Sequence, residues 1–180
     1  MKRGKAKQVS DIGLYSGPAF TAMDSKGRFS VPAAMRHVVQ ASSGGQNRLC
    51  LTKHEEYRCV IGFGHSYQQA LRADIDREEQ VALARGESYS RAAAMQRKFG
   101  LLEDVPFDDG GRFFISPFLK KLCDIDDIVF INGSGDYFEL WNPHVLRETD
   151  GVYEALKLAA EFALEDWDKN PKNPKRGGAK

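Results

Sequence analysis

The chain has 180 residues, of which 42% are hydrophobic and 28% are charged, so it can bury a sizeable core and lacks the composition of a disordered protein. Its formal net charge of +1 neither indicates nor excludes a nucleic-acid partner. The three cysteines are odd in number and lack the paired short spacing of a zinc site. We therefore expect small buried thiols, with no disulfide framework, metal or cofactor.

Basic residues cluster at both ends of the chain, with Lys5 and Lys7 in the first cluster. Such ends are more often solvated tails than dedicated phosphate-binding arms. No apolar stretch long enough for a signal peptide follows the first cluster, and no run approaches the roughly 20 apolar residues of a membrane span. The sequence therefore predicts a cytoplasmic protein.

Sliding the chain by 84 positions superposes two turns of the pattern Asp-x-x-x-Arg, Asp24-Ser-Lys-Gly-Arg28 and Asp108-Asp-Gly-Gly-Arg112. Each turn lies in a β-rich unit that we predict to run strand, tight turn, strand, short helix and hairpin. In chain order we expect a basic tail (1–14), a first unit (15–64), a helical linker (65–103), a second unit (104–147), a C-terminal helix (148–168) and a disordered basic tail (169–180).

The first unit continues from its turn into a helix that follows Pro32 and then a hairpin over 49–52 and 57–61. The second unit has a clearer helix start, because Ser116 can cap the first turn and Pro117 suits the first helical position. Its hairpin covers 128–131 and 137–141, where the aromatic run is more often core than an interaction surface.

The linker is polar and rich in alanine, which favours amphipathic helices. Leu71, Ile75 and Val81 fall roughly on one apolar stripe, and Gly86 is expected to break the helix before it resumes over 89–99. A further helix over about 152–167 follows the second unit, with an apolar side that includes Leu156, Ala160, Ala163, Leu164 and Trp167.

The turns have a simple chemistry. The aspartate can accept hydrogen bonds from loop amides or pair with the arginine, and the glycine before the arginine permits the positive φ of a tight reversal. One such turn is a common surface feature. Two at matching places constrain the fold, and we assign motif-organising roles to Asp24, Gly27, Asp108, Gly111 and Arg112.

Several motifs in order resemble the MraZ family, whose units belong to the SpoVT and AbrB group. They are Tyr15-Ser-Gly17, the two turns, Val31-Pro-Ala-Ala-Met-Arg36 and Phe138-Glu-Leu-Trp141. The resemblance implies an α+β fold, a double-psi or swapped-hairpin AbrB-like β-barrel formed by two tandem repeats, with peripheral helices. It also implies a homo-oligomeric ring, associated with the nucleoid, that binds short direct repeats of double-stranded DNA and regulates, as a repressor, the division and cell-wall gene cluster including its own promoter.

In that family the turns carry DNA binding, the first above all. The first turn holds Lys26 and Arg28 against one aspartate, and the second holds two aspartates against Arg112. An arginine fork can hold phosphate or read guanine edges. We therefore predict that the first turn faces DNA and that the second mainly stabilises the fold. The predicted DNA-binding residues are Lys26, Arg28, Arg36, Lys5 and Lys7.

Other functions remain open. An enzyme is disfavoured, because the four histidines, at 37, 54, 65 and 144, have neither metal-binding spacing nor a neighbouring nucleophile, and we assign no catalytic residue. A ring-forming scaffold without DNA binding is a second possibility. An antitoxin-like regulator is a third, although such proteins usually carry one swapped-hairpin unit rather than two.

Overall fold

The computed structural model describes residues 13–170 and 173. Its strands are β1 (Pro18–Ala22), β2 (Phe29–Ser30), β3 (Arg48–Lys53), β4 (Val60–Phe63), β5 (Glu103–Pro106), β6 (Arg112–Phe113), β7 (Ile128–Gly133) and β8 (Phe138–Trp141). Its helices are α1 (Ala33–Ser42), α2 (Tyr67–Ala84), α3 (Arg91–Phe99), α4 (Pro117–Leu122), α5 (Pro143–Glu148) and α6 (Glu154–Lys169). The order predicted for each unit is confirmed, and the fold is α+β.

Six strands form one antiparallel sheet in the order β1-β7-β8-β4-β3-β5. The two units exchange their first strands, because β1 of the first unit pairs with β7 of the second and β5 of the second pairs with β3 of the first. The two hairpins meet at the centre through β4 and β8. The sheet is therefore symmetric: β1, β3 and β4 of the first unit have the equivalent neighbours to β5, β7 and β8 of the second, counted from the opposite edge.

Within residues 13–170, the two remaining strands, β2 and β6, pair only with each other. Phe29 lies opposite Phe113 in this pair, and both side chains are fully buried. Among the described residues the pairings thus form an open six-stranded sheet and a separate two-stranded ladder, and the expected closed barrel is not present as a continuous ladder.

One core spans both units. It contains residues from β2, β3, β4, β6, β7 and β8, together with the inward sides of α1 and α4. The aromatic strand predicted to be core is confirmed, because Phe138, Leu140 and Trp141 are fully buried. A second cluster packs α5 and α6 against Trp141 and Phe130, which explains why the C-terminal helix has an apolar side. The three cysteines are buried, as predicted.

The predicted helix start at Ser116 is confirmed, because its Oγ accepts from the backbone N–H of Leu119 at 3.2 Å and Pro117 begins α4. The helix after Pro32 has no side-chain cap from any residue that the structure describes, which agrees with the weaker signal there. In the linker, Ile75 is buried but Val81 is 43% exposed, so its expected place on the stripe is wrong. Ala82 is buried instead, because it lies two full helical turns after Ile75.

Within residues 13–170, none of the helices has the length and apolar character needed to cross a membrane. The N-terminal tail assigned to 1–14, with Lys5 and Lys7, lies almost wholly outside the described residues. So does most of the tail assigned to 169–180.

Candidate nucleic-acid interface

The two Asp-x-x-x-Arg turns have the same backbone geometry. In the first, the Gly27 amide donates to the carbonyl of Asp24 at 2.9 Å, and the Arg28 amide donates to Asp24 Oδ1 at 2.9 Å. In the second, the Gly111 amide donates to the carbonyl of Asp108 at 2.7 Å, and the Arg112 amide donates to Asp108 Oδ1 at 3.0 Å. The glycines have φ of 82° and 78°, in the left-handed region that glycine adopts without steric cost.

The β2–β6 ladder brings these turns together. Ser30 pairs with Arg112 in the ladder, and the Val31 amide donates to the carbonyl of Gly111 at 2.9 Å. The first turn leads directly into β2 and the second turn ends at the first residue of β6, so two turns that are 84 positions apart in the sequence lie side by side.

An ion pair joins the turns directly. Arg28 donates from Nε and Nη2 to Asp24 Oδ2, at 3.0 and 2.7 Å, and from Nη1 to Asp108 Oδ2 at 3.2 Å. The same Asp108 oxygen accepts from Nε of Arg112 at 2.8 Å. Because two carboxylates surround Arg28, its side chain is only 17% exposed, whereas that of Arg112 is 48% exposed.

These contacts shift the titration of both aspartates. The guanidinium and backbone amide of Arg28 hold the pKa of Asp24 at about 2. The backbone amide of Arg112, followed by its guanidinium, lowers the pKa of Asp108 despite an opposing contribution from partial burial. Both carboxylates are therefore ionised at neutral pH, and they offset the positive charge of the arginines that they hold.

Arg36 on α1 reaches across to the second turn. Its Nη1 donates to the carbonyl of Asp109 at 2.7 Å, and its Nη2 donates to the carbonyl of Gly110 at 2.9 Å. Its Nε is buried without a hydrogen-bond partner among the described residues. The two terminal nitrogens of the guanidinium thus hold the backbone of the second turn in place.

Lys120 on α4 is the repeat counterpart of Arg36, and it crosses in the opposite direction. Its Nζ lies 3.4 Å from Sδ of Met23 and 5.7 Å from the centre of the Phe29 ring. Each unit therefore sends one cation from its short helix toward the turn region of the other. The shift of 84 positions places Lys120 at the position of Arg36, but it does not show this exchange.

Lys26 is the most freely presented cation of the first turn. It is exposed, and within the described part of the chain its Nζ makes no ion pair. Arg112 is the exposed cation of the second turn, and its hydrogen bond to Asp108 uses Nε alone among the described residues. The solvent-facing charge of the surface therefore comes from one residue of each turn.

The sequence assigned both aspartates to organise the turns, and the structure shows each bound to the amide and guanidinium of its own arginine. It missed the contact between Arg28 and Asp108, because a pairing over 80 positions leaves no trace in local spacing. The role of Asp109 also passed unnoticed: its Oδ1 accepts from the Asn47 side chain at 3.3 Å.

Known proteins resemble this chain over most of its length. It is 33% identical over 136 residues to Transcriptional regulator MraZ of Methylobacillus flagellatus, covering 74% of this chain and 84% of that protein. It is 30% identical over 150 residues to Transcriptional regulator MraZ of Burkholderia vietnamiensis and 31% identical to that of Burkholderia cenocepacia, each match covering 80% of this chain and 97% of the relative. No family model matches the sequence. Identity of this level over nearly the whole length of the relatives shows that the chain belongs to the MraZ family.

Proposed function

We propose that this protein is a sequence-specific DNA-binding transcriptional regulator whose DNA surface is formed jointly by the two Asp-x-x-x-Arg turns. The observation that carries the proposal is the union of the turns on one short ladder, with Lys26 and Arg112 directed to solvent around the Arg28 ion pair. The relatives named transcriptional regulators support the same function.

The residues of this surface have different roles. Lys26 is exposed and supplies a phosphate contact. Arg28 lies between two carboxylates, so it fixes the turns and contacts DNA only through the N–H groups that its ion pairs do not use. Arg36 likewise fixes the second turn, because it donates to the carbonyls of Asp109 and Gly110. Arg112 has an exposed fork, which favours a DNA contact from the second turn as well.

This division modifies the one that charge alone predicts. The turns together contain three cations and three anions, so a single copy of the surface is nearly neutral. Because nonspecific attraction to phosphate scales with the number of cations that reach it, one copy binds DNA weakly. Lys5 and Lys7, which lie outside the described residues, are proposed as additional phosphate contacts.

Weak DNA binding by a single copy of the surface favours an oligomer that presents several copies. We extend the proposal to a homo-oligomeric ring that binds evenly spaced direct repeats, because several linked surfaces raise the effective concentration of each at its own repeat. Large apolar side chains are exposed near the second turn and on α6, as expected of subunit contacts; they are Phe114 (54%), Phe118 (55%), Leu158 (57%) and Phe162 (75%).

The exchanged first strands support a swapped-hairpin assignment of the two units. In this interpretation 15–64 and 104–147 are tandem SpoVT-AbrB-like repeats that close one core within a chain. The protein acts in the cytoplasm, on the nucleoid, as a repressor of its own promoter and of the division and cell-wall genes with it.

The test is binding to DNA upstream of the protein's own gene, measured by fluorescence anisotropy against a shuffled duplex at two salt concentrations. Specific binding that weakens with salt supports the proposal. Equal affinity for both duplexes, or no binding to either, contradicts it. A reporter under that promoter distinguishes repression from activation, and light scattering after size-exclusion chromatography measures the subunit number.

A further inference from the structure

A second site lies at the edge of the large sheet, where β5 is held by β3. Cys50 on β3 and Asp104 on β5 are directly opposite in the ladder, and His65 follows the end of β4. The Sγ of Cys50, a ring nitrogen of His65 and a carboxylate oxygen of Asp104 all lie within 4.8 Å of one another. The sequence does not reveal this group, because its members are far apart and lack the spacing of known zinc motifs.

We propose that Cys50, His65 and Asp104 form a binding site for Zn²⁺. Thiolate, imidazole and carboxylate are the three side-chain ligands that zinc takes in proteins, and a soft sulfur with one nitrogen disfavours Mg²⁺ and Ca²⁺. Three protein ligands leave a fourth tetrahedral position for water.

The distances are close to those that tetrahedral zinc requires. Bonds of about 2.0 Å to nitrogen and oxygen place these two ligands roughly 3.3 Å apart, and the His65 Nε2 to Asp104 Oδ1 distance is 3.1 Å. The sulfur lies at most 4.8 Å from these two atoms, so it needs an approach of at most about 1.3 Å, since its separation from them in a zinc site is roughly 3.5 Å.

Neighbouring groups already orient these ligands. The side-chain N–H of Gln68 donates to Cys50 Sγ at 3.2 Å, as outer-shell donors do for a metal-bound thiolate. The Oγ of Ser43 accepts from the backbone N–H of His65 at 3.1 Å. Both contacts would persist with zinc bound.

The opposite edge of the sheet shows that the fold does not require this chemistry. Asp104 precedes Asp108 by four residues, and the residue at the same distance from Asp24 is Phe20, which pairs with Phe130. At the β1 edge, the pair Phe20 and Phe130, with Trp167 against Phe20, therefore takes the place that Asp104 and Cys50 have at the β5 edge.

Arg48 competes with zinc for the same carboxylate. Its Nε donates to Asp104 Oδ1 at 3.0 Å and its Nη2 donates to the Asp104 carbonyl at 3.2 Å. The side chain is 38% exposed, so it can turn outward when a cation binds. Replacing it with a neutral side chain should strengthen zinc binding, which a purely structural cluster would not predict.

The experiment titrates the full chain, freed of any tag, with Co²⁺ and then Zn²⁺. We expect a near-ultraviolet thiolate-to-cobalt band that stoichiometric Zn²⁺ abolishes. Free Zn²⁺ at about a hundred times its Kd should raise the Tm by roughly 5 to 10 °C. Absence of the cobalt band from the folded wild type overturns the proposal.

Matched variants locate the site. His65→Asn and Asp104→Asn, both at accessible positions, should weaken zinc binding at least tenfold, and Cys50→Ser should remove the cobalt band. Arg48→Gln should tighten binding several-fold. The controls His37→Asn, Asp126→Asn and Cys123→Ser should bind as the wild type does. Equal binding by ligand and control variants, with circular dichroism showing each folded, places the metal elsewhere and refutes the assignment.

Discussion

Arg28 and Asp108 are 80 residues apart in the chain, yet Nη1 of the arginine donates to Oδ2 of the aspartate at 3.2 Å. The contact joins two turns whose glycine and arginine amides make the same hydrogen bonds to the aspartate of their own turn. The turns are unequal in their side-chain contacts, because Arg28 binds both aspartates and uses two nitrogens on Asp24, whereas Arg112 binds only Asp108, through Nε, among the described residues. The first turn thus contributes the arginine that holds the surface together.

This inequality predicts the effect of removing each arginine. Arg28→Ala removes the partner that Asp24 and Asp108 share and leaves the two carboxylates close together. Arg112→Ala removes only the ion pair with Asp108. Arg28→Ala should therefore lower the Tm more than Arg112→Ala does. The measurement is thermal unfolding by circular dichroism at low salt. An equal or larger loss for Arg112→Ala would show that the cross-turn pair contributes nothing distinctive.

The two glycines of the turns form a second matched pair. Both have positive φ, so alanine at either costs about 1 to 2 kcal/mol of unfolding free energy. A Cβ at Gly27 meets none of the described residues within 4 Å, whereas one at Gly111 lies 2.6 Å from Nε of Arg36 and 2.9 Å from the carbonyl of Val31. Gly111→Ala should therefore cost about 1 to 3 kcal/mol more than Gly27→Ala.

Urea denaturation of the two glycine variants measures that difference. Gly45→Ala is a suitable control, because Gly45 has a positive φ of 83° and lies outside the turns, and a Cβ added there would have no neighbour within 4 Å in the described part of the chain. Its cost should match that of Gly27→Ala. Similar costs at Gly27 and Gly111 would mean that Arg36 moves aside freely and does not fix the second turn.

The depressed pKa of Asp24 predicts an acid dependence. Its value of about 2 in the folded state lies below the ordinary 3.8, so the folded state favours the ionised carboxylate. The resulting stabilisation is fully present above about pH 4 and is lost as the pH falls toward about 2. The stability difference between wild type and Asp24→Asn should shrink over this range.

Denaturant midpoints measured at intervals between pH 5 and pH 2 follow that change. Asp126→Asn serves as the control, because Asp126 is exposed on the loop before β7 and lies outside the turns. A difference between wild type and Asp24→Asn that stayed constant with pH would show that the carboxylate acts through shape rather than charge.

The sequence predicted the local parts of this molecule well. The repeated turn, the Ser116 cap and the aromatic core strand each depend on residues within a few positions, and each is seen in the structure. The exchange of β1 and β5 was expected only from the family resemblance. Three features depend on which distant segments the sheet brings together, and the spacing of residues in the sequence does not predict them. They are the contact of Arg36 with the second turn, the ion pair between Arg28 and Asp108, and the cluster at Cys50.

Lys26 is the exposed cation of the first turn. If Lys26 contacts a phosphate, Lys26→Ala should weaken binding to specific and shuffled duplexes alike and should reduce the slope of log K against log salt by about 1. Lys169→Ala, at the end of α6 and paired with Glu165, should leave that slope unchanged. Because Lys26 makes no ion pair within the described residues, its removal should leave the Tm within about 2 °C of the wild type. An unchanged slope, with the fold intact, would place the DNA on another face of the protein.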